Sequence, residues 1–134
     1  MEPVERVQQM YAAFGRGDVP AILAGLAEDV EWEYGAIRNP VPWLQPYKGR
    51  AQVPQFFEAL AKHIDLTQFE PRTFLQQGLL VVDLVDVAFT VRATGKHVVE
   101  AETVHIWHFN AAGLVQRFRH RVDTWASAQA LIPS

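Results

Sequence analysis

His105 and His120 are the side chains of this sequence best suited to carry protons near neutral pH, where imidazole titrates. They lie in two consecutive segments, HVVEAETVHIWHF and LVQRFRHRVDTW, joined by a turn-forming stretch at 110–113. Thr103, His105, Trp107 and Phe109 alternate onto one face of the first segment, and Phe118, His120 and Val122 onto the matching face of the second. Period-2 alternation is the mark of a half-buried strand. The other face carries Glu100, Glu102, Arg117, Arg119, Arg121 and Asp123, which reads as a salt-bridge ladder rather than a phosphate site. A four-residue loop at 110–113 sets Phe109 against Leu114 and Glu102 against Arg121. His105 and His120 are then diagonal neighbours, about 7–8 Å apart at the backbone, near enough to converge on one small ligand.

The preceding segment, LLVVDLVDVAFTVRA, supplies a carboxylate. Matching apolar faces puts Val85 across from His105 and Asp83 on the same side as the histidines, with an odd-length turn or a bulge near Gly95. A regular turn would put Asp86 there instead. Asp83 in that place can orient a histidine and fix its tautomer, as the third member of a triad does. Asp123 is held in reserve, since a bulge at the strand end could turn it inward. Two histidines and a carboxylate are also the donors of a facial-triad metal centre. His105 and His108, three apart on a strand, face opposite ways and cannot chelate together, so no metal is expected. Trp32, Phe89, Trp107 and Phe118 are candidates to line an apolar pocket for a ring-shaped ligand, with simple core packing as the alternative.

Three helices must position these strands. Val4, Val7, Tyr11 and Phe14 form one apolar stripe that Gly15 and Gly17 terminate. Asp18 caps a second helix with Pro20 in its first turn, and Val19, Ile22, Leu23 and Leu26 form its buried stripe. VEWEY reads as a strand, with Val30, Trp32 and Tyr34 inward and Glu31 and Glu33 outward. Three prolines mark 35–49 as an irregular loop, and Val53, Phe56, Phe57, Leu60 and Ile64 share a third helical face. Everything after Asp65 reads as strand, in four segments with turns at Gly78, Thr94-Gly95 and 110–113.

The bulk composition bounds the function classes. A chain of 134 residues with 49% hydrophobic and 20% charged residues suits one α+β domain spanning 1–134. Twelve basic against fifteen acidic residues argue against nucleic-acid binding. No apolar run approaches the roughly 20 residues of a membrane span, and MEPVERVQQM lacks a signal-peptide layout. Cysteine is absent, which removes disulfides and thiolate chemistry and points to a cytoplasmic protein.

The succession of these segments resembles a known superfamily. A helix, a short helix after Gly17-Asp18, LAEDVEWEYG, a proline loop ending in KGRAQVPQFF, and a sheet ending HIWHFNAAGLVQRFRHRVDT are similar to SnoaL-like polyketide cyclases and ketosteroid isomerases. The resemblance implies the cone-shaped fold of nuclear transport factor two: three N-terminal helices packed on a strongly curved, mainly antiparallel sheet. It also implies a homodimer through the outer sheet face. The isomerases' general base would fall at Tyr34, their oxyanion-binding acid at His105, and the cyclases' acid/base aspartate at His120. These slots hold proton-capable residues, though not those of either enzyme. The expectation is a cofactor-free enzyme moving protons on a hydrophobic cyclic carbonyl compound, as an isomerase, cyclase or dehydratase. His105 would polarise or protonate the substrate oxygen, His120 would exchange a proton, and Tyr34 would hydrogen-bond the ligand. The rival expectation is a non-catalytic ligand-binding or dimerisation module.

Overall fold

A computed structural model describes residues 1–33 and 38–134. The candidate ligand contact Tyr34 lies outside the described residues. Helix α1 spans Pro3–Gly15 and α2 spans Val19–Ala24, where Asp18 accepts a hydrogen bond from the Ala21 N–H at 3.2 Å. Strand β1 (Leu26–Trp32) follows, then a two-residue strand β2 (Tyr47–Lys48) inside the proline-rich loop, and α3 (Pro54–His63). The remaining chain forms β3 (Ile64–Gln77), β4 (Leu80–Val91), β5 (His97–Phe109), β6 (Val115–Arg121) and α4 (Thr124–Ala130). Ile64, expected on the third helix, therefore opens β3 instead.

The strands make one open, curved sheet in the order β2-β1-β6-β5-β4-β3, antiparallel except between β1 and β6. The helices cover its concave face. Val7 and Met10 of α1 pack with Leu26, Val30, Trp32, Phe56, Trp107 and Phe118 in one buried cluster. Val41, Trp43, Ile64, Phe89 and Val98 form a second, joined by Ala130 of α4.

Four expectations are corrected. The last segment is not strand throughout, because Asp123 accepts from the Ala126 N–H at 3.0 Å and starts α4. Asp123 is thus an exposed helix cap rather than a site residue. The β5–β6 register differs by two residues from the four-residue-loop reading, so Trp107 faces Phe118 and Val104 faces Arg121. Two single displacements produce it. Asn110 closes a longer loop by accepting from the Ala112 and Leu114 N–H groups, setting Phe109 against Val115, and Gln116 is then skipped in the ladder. Two slips of one restore face parity, which is why the inward residues remain inward.

The β4–β5 irregularity sits away from Gly95. Val85 faces Thr103 but Val87 faces Glu100, and the extra residue is accommodated around Glu102 at a φ of 56°. That bulge turns Glu100 out of the expected charged ladder. Finally, the outer face is not charged throughout. Val82 and Ile106 are register partners, as are Leu84 and Val104, and Leu75 beside Val82 is 63% exposed. Arg117 takes Glu31 of the parallel neighbour β1 as its partner, at 2.9 Å.

Candidate active site

Asp83, His105 and His120 occupy one row across β4, β5 and β6, because the observed registers place Asp83 directly opposite His105 and His105 directly opposite His120. The two imidazole centroids are 5.6 Å apart and steeply inclined. Asp86 points to the other face, where Arg72 and the Glu102 N–H hold it. The two expected histidines and Asp83 are therefore side by side on the concave surface.

A fourth group completes this row from above. Tyr11 of α1 donates its hydroxyl hydrogen bond to Asp83 Oδ2 at 2.5 Å, and the same hydroxyl oxygen lies 2.8 Å from His105 Nδ1. Trp107 Nε1–H donates to Asp83 Oδ1 at 3.0 Å. Asp83 is fully buried, so both carboxylate oxygens are satisfied without water. Burial pushes its carboxyl up to about 6, against the opposing pull of the Tyr11 and Trp107 hydrogen bonds. Burial first, and the facing His120 second, hold His105 well below the ordinary histidine range. Burial beside Asp83 also raises the Tyr11 phenol, which stays protonated.

His120 has a different support. Its main-chain N–H donates to Glu33 Oε1, and the same oxygen lies 2.7 Å from its Nδ1. Glu33 is only 3% exposed, although alternation along β1 directs it outward with Glu31. The strand stops before Glu33 can follow that alternation. Its φ is +57°, in the left-handed region, and its N–H is bound by the Phe118 carbonyl at 2.8 Å. The backbone turn swings the carboxylate under β6, a strained conformation of the kind found at working sites.

These polar groups edge a cavity of about 380 Å³ between the helices and the concave sheet. His105 and His120 line it with Trp32, Phe89, Trp107 and Phe118, all four of the aromatic candidates. Phe56 and Phe57 of α3 close the wall beside Trp32, with ring centroids 5.4 and 5.9 Å from it. Glu100, carried inward by the β5 bulge, also reaches the cavity. It accepts the Asp123 N–H on both oxygens, and burial raises its carboxyl. Among the described residues, no set of three or more His, Asp or Glu side chains is placed to hold a metal ion.

Sequence reasoning missed Tyr11, Glu33 and Glu100. Tyr11 looked like one member of an apolar helical stripe, and its hydroxyl was the available signal, since a buried phenol usually requires a partner. Alternation sends Glu33 and Glu100 outward, and a left-handed residue in one strand and a bulge in the other override it. Nothing in the local sequence announces either.

Helices over a curved, open antiparallel sheet with a cavity between them define the NTF2-like class. An NTF2-like protein from Burkholderia thailandensis superposes with a TM-score of 0.85 at 29% identity, over 99% of this chain and 100% of that one. A second, from Burkholderia pseudomallei, gives 0.82 at 26% over 98% of each. TerC, co-crystallised with polyporic acid, gives 0.74 at 25% identity, over 96% and 97%. No curated protein matches the chain. Residues 7–118 match the SnoaL-like domain, and the chain belongs to that family.

Proposed function

We propose that this protein is a small-molecule enzyme that transfers protons on a hydrophobic cyclic carbonyl compound without a cofactor. The observation that carries this reading is the pair of facing imidazoles, each backed by a buried carboxylate, at the edge of a cavity with mostly apolar walls. Apolar walls exclude water and strengthen every polar contact to a bound carbonyl. His105, held neutral, meets the substrate oxygen. His120, with Glu33 at Nδ1, exchanges a proton with the adjacent carbon through Nε2, the division of labour that general acid–base catalysis requires. Proton transfer beside a carbonyl needs only such positioned groups. TerC, a relative of the same fold, holds polyporic acid in its crystals, which favours an organic ligand here as well.

The test is α-hydrogen exchange in D2O with a panel of cyclic ketones, from cyclohexenone through tetralone to a steroid enone, followed by NMR. Exchange catalysed by the wild type and lost in His120→Ala supports the reading. No catalysed exchange across the panel removes it in favour of a binding module. The same reading takes a homodimer, in the cytoplasm, formed through the outer stripe of Leu75, Val82, Leu84, Val104 and Ile106. Sedimentation showing a dimer that Ile106→Lys dissociates supports it, and a monomer at micromolar concentration disposes of it.

A further inference from the structure

The Asp83–Tyr11–His105 chain contains two short gaps, 2.5 and 2.8 Å, and each must hold one proton. Donor directions along such a chain have to agree, because the Tyr11 hydroxyl has a single hydrogen to donate. Two arrangements satisfy this. In one, Asp83 is ionised, Tyr11 donates to it, and His105 donates Nδ1–H to Tyr11, leaving Nε2 bare. In the other, Asp83 is protonated and donates to Tyr11, Tyr11 donates to Nδ1, and the ring hydrogen sits on Nε2. They differ by one proton overall, and the ring is neutral in both.

We infer that Tyr11 is a proton relay between His105 and Asp83, so that a proton taken up at Nε2 of His105 is stored on the carboxylate. The step balances. A substrate O–H bond breaks, its electron pair stays on the oxygen, and the proton bonds to Nε2. The Nδ1–H bond breaks as its proton moves to the Tyr11 oxygen, and the Tyr11 proton moves to Asp83 Oδ2. The substrate gains one negative charge and Asp83 loses one, with no oxidation or reduction.

The surroundings favour this route over an imidazolium. The His105 ring lines the cavity, and its Nε2 has no hydrogen-bond partner among the described residues, so it is the nitrogen free to meet a ligand. His105 is 6% exposed, and among the described residues its near ionisable neighbours are Tyr11 on α1, Asp83 on β4 and His120 on β6, with Glu33 behind His120. β3 presents Phe69 and Phe74 to the Tyr11 ring, and β5 adds the neutral Trp107. A charge on the ring is therefore penalised, whereas burial makes Asp83 ready to take a proton near neutrality. Trp107 holds the other Asp83 oxygen in both states and keeps the carboxyl in line.

This inference rests on the proton-transfer reading of the cavity, yet its test needs no substrate. Long-range proton–nitrogen NMR of the nitrogen-15-labelled full chain distinguishes Nδ1–H, Nε2–H and doubly protonated rings. The expected result is an Nδ1–H tautomer for His105 at pH 8 and an Nε2–H tautomer at pH 5, with the change centred near 6. In Tyr11→Phe and in Asp83→Asn the change should vanish, leaving one tautomer across the range. A doubly protonated His105 ring, one tautomer throughout in the wild type, or an unaltered switch in both variants would overturn the relay. Ketone exchange without the tautomer change sinks the relay alone. The tautomer change without exchange on any ketone sinks the enzymatic reading and leaves the relay standing.

Discussion

The two histidines stand opposite each other on adjacent strands, yet the protein treats them differently. His105 reaches its carboxylate only through a neutral phenol, inside the larger hydrophobic cluster, where Trp107 and Tyr11 shield it. His120 touches its carboxylate directly, at the end of β1, where Glu33 accepts from its main-chain N–H and lies 2.7 Å from its ring Nδ1. The neutral phenol puts no charge against the His105 ring, so on that side the proton is exchanged at Asp83. Placement of the carboxylate, more than the identity of the ring, therefore decides how each histidine is supported.

Removing His120 should show the largest effect. His120→Ala is expected to lower turnover by about 10²–10⁴-fold, the usual contribution of a general acid–base group, while ligand affinity changes within about tenfold. Steady-state kinetics and calorimetric titration check both halves, and unchanged turnover would break the assignment of roles. Stability against pH probes the other histidine's support. The folded Asp83 binds its proton up to about pH 6, against 3.8 for a free side chain, so its contribution to stability falls as pH rises through that interval. That interval corresponds to about 3 kcal/mol at most. Asp83→Asn should therefore gain on the wild type between pH 4 and pH 7.5 in urea titrations. His105, held low, acts with the opposite sign, and its neutral buried ring favours unfolding as pH drops below the ordinary histidine value. A mutant-minus-wild-type difference that is flat with pH would show that Asp83 is not the stored charge.

Glu33 sharpens the contrast at smaller scale. Glu33→Gln keeps an acceptor for the His120 N–H but removes the charge beside Nδ1, and should reduce turnover by about 10–100-fold without moving the His105 tautomer. A matching change at His105 would show that the two units act as one.

What was legible in the sequence follows from which rules apply locally. Periodicity located α1, α2 and the long strands, and the mutual exclusion of charges and aromatics put Asp83, His105 and His120 on one face even though the assumed registers were off by two. Faces survive an even displacement; opposite neighbours do not. The row Asp83–His105–His120 thus had to await the loop at Asn110 and the bulge at Glu102, whose conformations depend on tertiary hydrogen bonds. Glu33 lies further from reach, because only the Phe118 carbonyl and the underside of β6 explain its left-handed backbone. The Asp123 cap was readable as Asp followed by Thr-Trp-Ala, but strand alternation ran over it.

A third histidine offers the smallest and cleanest discrimination. His108 lies on the outer face, opposite Arg117 and Leu80, and its proton affinity is lowered by partial burial first and then by the Arg117 and Arg119 cations. The two cations act through a solvated surface, where interactions are screened over about a Debye length. Raising the salt concentration from 20 mM to 1 M, or substituting Arg117→Ala, should move the His108 titration upward toward its ordinary value. His105 should not respond to either, since desolvation dominates it and salt does not reach it. Arg117→Ala should also cost no more than about 1 kcal/mol of stability, because the Arg117–Glu31 pair is partly exposed. NMR titration of all three rings in one sample reads the comparison directly. If salt moved His105 as far as His108, the cavity would be open to ions, and the argument that its ring must stay neutral would lose its physical basis.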